Sequence, residues 1–312
     1  MESEAMLEAV REDGSLPAAK PVVTMLSGGR DSVCLLDLAV RTLTSGGVTA
    51  LHVNYGLRDD SDLDEAHCTT LCERLGVPLE IERPRRPEGP GNLQAWARDT
   101  RYAAAAGMAE GGDALIATGH TADDQVETIL YRLASSPSRR ALLGMRPRDG
   151  RLVRPLLGFT RAQTTAYCEE RGLAWRDDPS NEGAAYARNR VRHGLAAALA
   201  EVHPAAAQNV LRTAELLRDE AEVLDALVAA ELDGSNGSPR NTIELERLAE
   251  LPPALRRLIV QQLADRAAGR PVAGAARHAE EVAALCRTGT AMLDLGSGVR
   301  AVAERGTLRA ER

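Results

Sequence analysis

Apolar positions in the first half of the chain fall into short continuous runs separated by longer stretches of helical period. Residues 22–26 (Val-Val-Thr-Met-Leu), 48–53, 77–81 and 113–118 read as strands. Between them, helical patterns begin near Val33 and run over residues 62–75, 92–110 and from Thr121 or Asp123 to about 134. Strands buried on both faces show such unbroken apolar runs, and strand–helix alternation builds parallel βαβ units. The pattern therefore predicts an α/β fold with a doubly wound, mainly parallel sheet. A further short strand at 151–155 and a helix at 160–171 extend it. From about residue 196 the chain is rich in Ala, Leu, Glu and Arg, with helices predicted at 195–200, 204–232 and 252–268. A break at Asp233-Gly234-Ser235-Asn236-Gly237-Ser238-Pro239 divides them, and a hairpin around Gly296 and Gly306 ends the chain. The expected organisation is an extension (1–20), an α/β catalytic domain (21–195) and a smaller, mostly helical domain (196–312).

Composition narrows the picture. The chain has 312 residues, only 3% of them aromatic, and a formal net charge of -7, which argues against a generally nucleic-acid-binding surface but leaves room for a local basic patch. No apolar run is long enough to span a bilayer, and the acidic start lacks the order of a signal peptide, so a cytoplasmic protein with no membrane partner is expected. The five cysteines are odd in number and scattered, which predicts free thiols. Cys68 and Cys72, one helical turn apart, read better as small buried hydrophobes than as half of a metal site.

The chemistry gathers at the carboxyl ends of the predicted strands, where such sheets bind ligands. Ser27-Gly28-Gly29-Arg30-Asp31-Ser32 joins the first strand to the first helix. Glycines let backbone amides approach an anion, and a helix N-terminus adds orphan donors and a positive dipole end, which together form a phosphate cradle. Asp31 adds a carboxylate for Mg²⁺ and Ser32 a hydroxyl. The sole lysine is Lys20, ahead of the strand, so this is not the common nucleotide loop that ends in Lys-Ser/Thr. Gly119-His120-Thr121-Ala122-Asp123-Asp124-Gln125-Val126-Glu127 places His120, Asp124 and Glu127 at i, i+4 and i+7, on one face if helicity begins near His120. Such a set can hold Mg²⁺, orient an amine or move protons; a capped helix explains its first turn equally well. His52 and Asn54, at the exit of the second strand, are placed to read adenine or ribose. Arg98, Arg101 and Tyr102 share one side of a helix, where the two arginines can clamp phosphates. Residues 139–192 carry twelve arginines against six acids, with Arg188, Arg190 and Arg192 closely spaced, which could grip RNA phosphates while Trp175 or Phe159 stacks a base.

The Ser-Gly-Gly-x-Asp-Ser loop marks the N-type ATP pyrophosphatases, the PP-loop superfamily, which split ATP between the α- and β-phosphates. Within them the chain resembles the bacterial tRNA(Ile)-lysidine synthetases. The likeness extends through His52 to Arg58, the 92–102 helix, the 119–128 segment, Arg154-Pro155-Leu156-Leu157, Trp175-Arg176-Asp177-Asp178-Pro179-Ser180-Asn181 and Arg188-Asn189-Arg190-Val191-Arg192, in family order over about residues 20–195. Tyr55 stands where the family commonly has a histidine. The chain also ends before the further domain with which some members engage the acceptor stem.

The resemblance implies an adenine nucleotide alpha hydrolase-like fold, ATP and Mg²⁺ as cofactors, and free lysine and tRNA(Ile) with a CAU anticodon as partners; it is compatible with a homodimer. It implies a ligase that adenylates O2 of the wobble cytidine and replaces the adenylate with lysine. Ser27, Gly28, Gly29, Arg30, Asp31, Ser32, His52 and Asn54 would bind the nucleotide. Asp31 and Asp124 would hold metal, while Asp31, Arg98, Arg101, His120, Asp124 and Glu127 would serve catalysis. Arg188, Arg190 and Arg192 would meet RNA. A tRNA thiolase of the same superfamily is the rival enzyme, and the chain lacks the Cys-x-x-Cys that its chemistry generally needs. A non-catalytic nucleotide- or RNA-binding module is the remaining alternative.

Overall fold

A computed structural model describes the chain apart from residues 1, 58, 86, 88–90, 111, 136–138, 177–186 and 233–240, and the side chains of Arg140 and Arg188. It divides into two compact units, residues 1–215 and 216–312.

The first unit opens with α1 (Glu2–Asp13), β1 (Val22–Met25), α2 (Arg30–Leu43), β2 (Val48–Val53), α3 (Ser61–Leu75), β3 (Leu79–Glu82) and α4 (Leu93–Ala109). It continues through β4 (Leu115–Ala117), α5 (Ala122–Ser135), a short α6 (Arg139–Leu142), β5 (Arg148–Asp149), β6 (Leu152–Val153) and α7 (Arg161–Glu170). The strands form one sheet in the order β3-β2-β1-β4-β6-β5, parallel throughout except for β5. Alternate residues face opposite sides, as the pleat requires. Val22, Val48, Ala50, Leu115, Ala117 and Val153 join the core with α1, α2, α3 and α7. Val23, Met25, Leu51, Val53 and Ile116 pack with α4 on the other side. The first twenty residues are part of this body, because Met6, Leu7 and Val10 of α1 are buried in the same core as α2.

The α7 helix is fixed from within. Asp37 of α2 is 1% exposed and accepts from Tyr167 Oη (2.6 Å), Arg171 Nε (3.1 Å) and Arg171 Nη2 (3.3 Å). Burial and the Asp37 carboxylate push the Tyr167 phenol up, so it remains a donor. At its start, Thr160 and Gln163 form a reciprocal capping box.

Beyond α7 come α8 (Ala187–Arg190), a π-helical turn (Val191–Ala196), α9 (Ala197–Val202) and α10 (Ala206–Leu232). Val191, Leu199, Val210 and Leu211 pack on Val126 and Leu130 of α5, which lays the π turn against that helix.

In the second unit, β7 (Thr242–Glu244), α11 (Leu245–Glu250), α12 (Pro253–Ala268), α13 (Ala279–Ala283), β8 (Thr290–Gly296), β9 (Val299–Glu304) and β10 (Thr307–Glu311) enclose a separate core around Ile259, Leu263, Leu295 and Leu308. Here the expected hairpin is too small. The strands form a four-stranded antiparallel sheet in the order β7-β10-β9-β8. The strand β7 pairs with β10 across more than sixty residues and has only three of its own, too few to show a period.

Candidate active site

Gly28 sits at φ +83°, a backbone conformation reserved for glycine, with Cys68 Sγ 3.3 Å from where a Cβ would stand. Within the turn, Ser32 Oγ donates to the Gly29 carbonyl (2.7 Å) and accepts from the Ser27 amide (3.1 Å). No side chain caps α2 at Gly29; the Ser32 and Val33 amides donate to the Gly29 carbonyl (both 3.0 Å), which leaves the Arg30 and Asp31 amides of the first turn for an anion. This cradle fits a phosphate group. Asp31 lies in the first turn, where Oδ1 accepts from Thr164 Oγ1 of α7 (2.6 Å) and from Arg30 Nε (3.3 Å). Thr164 is fully buried. The Arg176 amide donates to the Gly28 carbonyl (3.0 Å), bringing the Trp175-Arg176 segment to the turn.

The end of β4 abuts the same turn. A Cβ on Gly119 would stand 2.9 Å from the Asp31 carbonyl oxygen, so only glycine allows this approach. His120 differs from the expected geometry. The helix α5 starts at Ala122, leaving His120 outside it with Nδ1 2.8 Å from Thr118 Oγ1. Thr121 sets that start, since Asp124 Oδ2 accepts from the Thr121 amide (2.9 Å) and hydroxyl (3.2 Å), much as a capping box does.

Asp124 and Glu127 face α7 and the π turn together. Arg161 Nη2 donates to Asp124 Oδ1, and Arg161 Nη1 to Glu127 Oε1 (2.8 Å). Arg192 Nε donates to the same Glu127 oxygen (2.6 Å) and Nη2 stands 3.9 Å from Asp124. Two carboxylates thus face two guanidinium groups, with Glu127 only 3% exposed. Burial works against the charge on Arg161, but Asp124 and Glu127 outweigh it and hold its pKa above the ordinary arginine value. The sequence reading missed Arg161 and Thr164. Their spacing of three on a capped helix was visible; their partners, more than thirty and more than one hundred residues away, were not.

At the exit of β2, His52 is buried and its Nδ1 lies 2.9 Å from the Leu26 carbonyl. Asn54 Nδ2 donates to Asp62 Oδ1 (3.1 Å) and Glu65 Oε2 (3.0 Å), tying the strand to α3. Both residues therefore brace the turn's neighbourhood through contacts of their own. All five cysteines are free. Burial pushes the thiols up, to about 12 at Cys68 and about 11 at Cys72, which keeps both protonated.

The α4 helix presents Arg98 with Cζ 5.0 Å from the Tyr102 ring centre and Arg101 at 5.8 Å. Of the three arginines expected to meet RNA, the Arg188 side chain lies outside the described residues, Arg190 is exposed, and Arg192 faces Glu127. Phe159 and Trp175 are partly buried against the main core rather than displayed for stacking. No helix among the described residues is long and apolar enough to cross a membrane. None of their His, Cys, Asp and Glu side chains form a group of three or more able to hold a metal. Mg²⁺ does not need one: it is commonly held by one or two carboxylates and the substrate's phosphates, which the position of Asp31 beside the cradle fits.

This glycine turn on an uncapped helix, with a carboxylate in its first turn, lies within a segment of known family. Residues 2–199 match the PP-loop domain family. A tRNA(Ile)-lysidine synthase from Salinispora tropica is 36% identical over 308 residues, covering 95% of this chain and 92% of that protein. The chain belongs to the tRNA(Ile)-lysidine synthase family of PP-loop proteins. Related synthases from Pseudomonas fluorescens (37% identical, 77% of this chain) and Thermus thermophilus (40% identical, 81% of this chain) are longer. The chain spans about half the length of these two, 54% and 50%. Among solved structures, a U34-tRNA thiolase from Methanococcus maripaludis shares the fold, with a TM-score of 0.56 at 18% identity over 69% of this chain and 78% of that one.

Proposed function

We propose that the protein ligates lysine to C2 of the wobble cytidine in the CAU anticodon of tRNA(Ile). ATP and lysine are consumed, and AMP and pyrophosphate are released. In the first step O2 of the cytidine attacks the α-phosphorus and the bond to pyrophosphate breaks. In the second the lysine side-chain amine, having lost a proton, attacks C2; the C2–O2 bond breaks and AMP departs with that oxygen. The second proton of the amine is released, and the modified base reads AUA in place of AUG. The reaction would take place in the cytoplasm.

The observation that carries this reading is the joining of the two halves of the site. The uncapped turn at residues 27–32 meets Gly119 at van der Waals limit, and α7 touches Asp31 and the Asp124–Glu127 pair through residues three apart. The turn amides and Ser27, Gly28, Gly29, Arg30 and Ser32 would bind phosphate, with Arg98 and Arg101 stabilising the charge that develops as pyrophosphate leaves. Asp31 would hold Mg²⁺, which when bound screens that charge. Both Asp124 oxygens already accept hydrogen bonds, from Arg161 and from Thr121. Asp124 and Glu127 would meet the lysine ammonium once it displaces part of that pairing, and His120, just beyond β4, would take its proton.

The test is incubation with ATP, Mg²⁺, labelled lysine and a CAU-anticodon tRNA(Ile) transcript, followed by nucleoside analysis. Lysine on the wobble cytidine is expected, and Asp31→Ala should abolish pyrophosphate release while tRNA binding persists. Pyrophosphate release without lysine incorporation would overturn the assignment of the nucleophile. Full activity in Asp31→Ala would overturn the role given to that carboxylate.

A further inference from the structure

A second group of arginines lies on the α4 side of the sheet. Arg132, near the end of α5, donates from Nη1 to the Gly144 carbonyl (2.7 Å). Arg154, the residue after β6, donates from Nη1 to the Arg146 carbonyl (2.5 Å). The two side chains grip carbonyls two residues apart, so their guanidinium groups are neighbours. Arg98 belongs to the same group: burial lowers the pKa values of Arg132 and Arg154 below the ordinary arginine value, and the charge of Arg98 lowers both further. Tyr102, under Arg98 and Arg101, and Asp149 of β5 are close enough to Arg154 to oppose that effect, Asp149 without forming an ion pair with it.

Among the described residues none of these four arginines pairs with a carboxylate. Arg154 is only 8% exposed, and its Nε, the Nε of Arg101 and the Tyr102 hydroxyl are buried without a hydrogen-bond partner. Burying a guanidinium beside like charges and leaving its donors unsatisfied is unfavourable unless an anion completes the site. Forked guanidinium donors match phosphate oxygens in geometry and charge. Carbonyls fix Arg132 and Arg154 through one nitrogen each, which holds the remaining donors in place.

We propose that Arg132 and Arg154, with Arg98 and Arg101, form a phosphate-binding site. It rests on the reading above only for the origin of the phosphate, which is either ATP or the tRNA backbone.

The full chain would be titrated with inorganic pyrophosphate, with and without Mg²⁺, and separately with tRNA(Ile) transcript over a series of salt concentrations. The variants are the double change Arg132→Gln/Arg154→Gln and the single change Arg98→Gln at an exposed position, each checked by thermal melting. A loss of about tenfold or more in pyrophosphate affinity, with tRNA affinity retained, assigns the phosphate to the nucleotide. Weaker tRNA binding, with the slope of log K against log salt flatter by about 0.7 per lost contact to single-stranded RNA, assigns it to the backbone. Either result supports the site. If both affinities are unchanged in folded variants, the site is overturned, and the arginines serve only to hold residues 144–146. Should the double variant fail to fold, Arg98→Gln is read by the same criteria. Because both readouts are binding, they are independent of lysine incorporation. Lysidine formation by the unaltered protein, with unchanged binding in the variants, would sink this site alone, and lost phosphate binding in the variants, with no lysidine formed by the unaltered protein, would sink the reaction alone.

Discussion

Two sets of arginines flank the same sheet and differ in what they face. Arg161 and Arg192 meet Asp124 and Glu127 in a cluster of opposed charges. Arg98, Arg101, Arg132 and Arg154 face carbonyls, a tyrosine ring and one another. The first set spends its charge inside the protein and so fixes where two carboxylates stand. The second keeps its charge for something the chain does not supply. One residue type thus does two jobs, and composition alone cannot separate them.

The comparison breaks most easily at Arg161. Arg161→Met removes the guanidinium that bridges Asp124 and Glu127, and removing one partner of such a buried pair costs about 3–5 kcal/mol. A fall in chemical-denaturation midpoint is expected, with activity lost in the fraction that still folds. Arg98→Met, in the unpaired set, should leave the midpoint almost unchanged. Equal losses in the two variants would show that the sets do not differ as described.

Thr164→Val is a gentler test. It preserves shape and removes one hydrogen bond to a carboxylate, worth about 1.5–3 kcal/mol. If Thr164 positions Asp31, kcat should fall roughly tenfold or more with the KM for tRNA unmoved, since about 1.4 kcal/mol corresponds to a factor of ten. Thr164→Ser should restore it. An equal loss in the serine variant would make Thr164 a packing residue only.

The smallest effect sharpens the contrast within one helix. Arg190→Gln should flatten the salt dependence of tRNA binding by about one phosphate contact. Arg192→Gln should instead raise the KM for lysine, because its partner is Glu127. Identical behaviour would make both simple RNA contacts.

The glycine turn, the flanking strands and α4 were legible because their signals are local: an apolar run, two glycines and a helical period. The placement of His120 was not, because the helix start depends on Thr121 and Asp124 closing a cap one residue later than the spacing suggested. The role of α7 was hidden for another reason. Thr164 and Asp31 are 133 residues apart in sequence, and nothing near either names the other. The arginine-rich stretch from 139 to 192 read as one basic patch, yet it contributes to both sets, since which of its members find a carboxylate depends on how α5, α7 and the π turn pack.

The uncapped start of α2 has a thermodynamic reading. A helix start without a side-chain cap frays more readily, and in the proposed function the nucleotide's own phosphate would take the place of that cap. Nucleotide is then part of the folding equilibrium, adding stability as RT ln(1 + [L]/Kd), so that the firmness of this corner of the protein tracks the cell's supply of ATP.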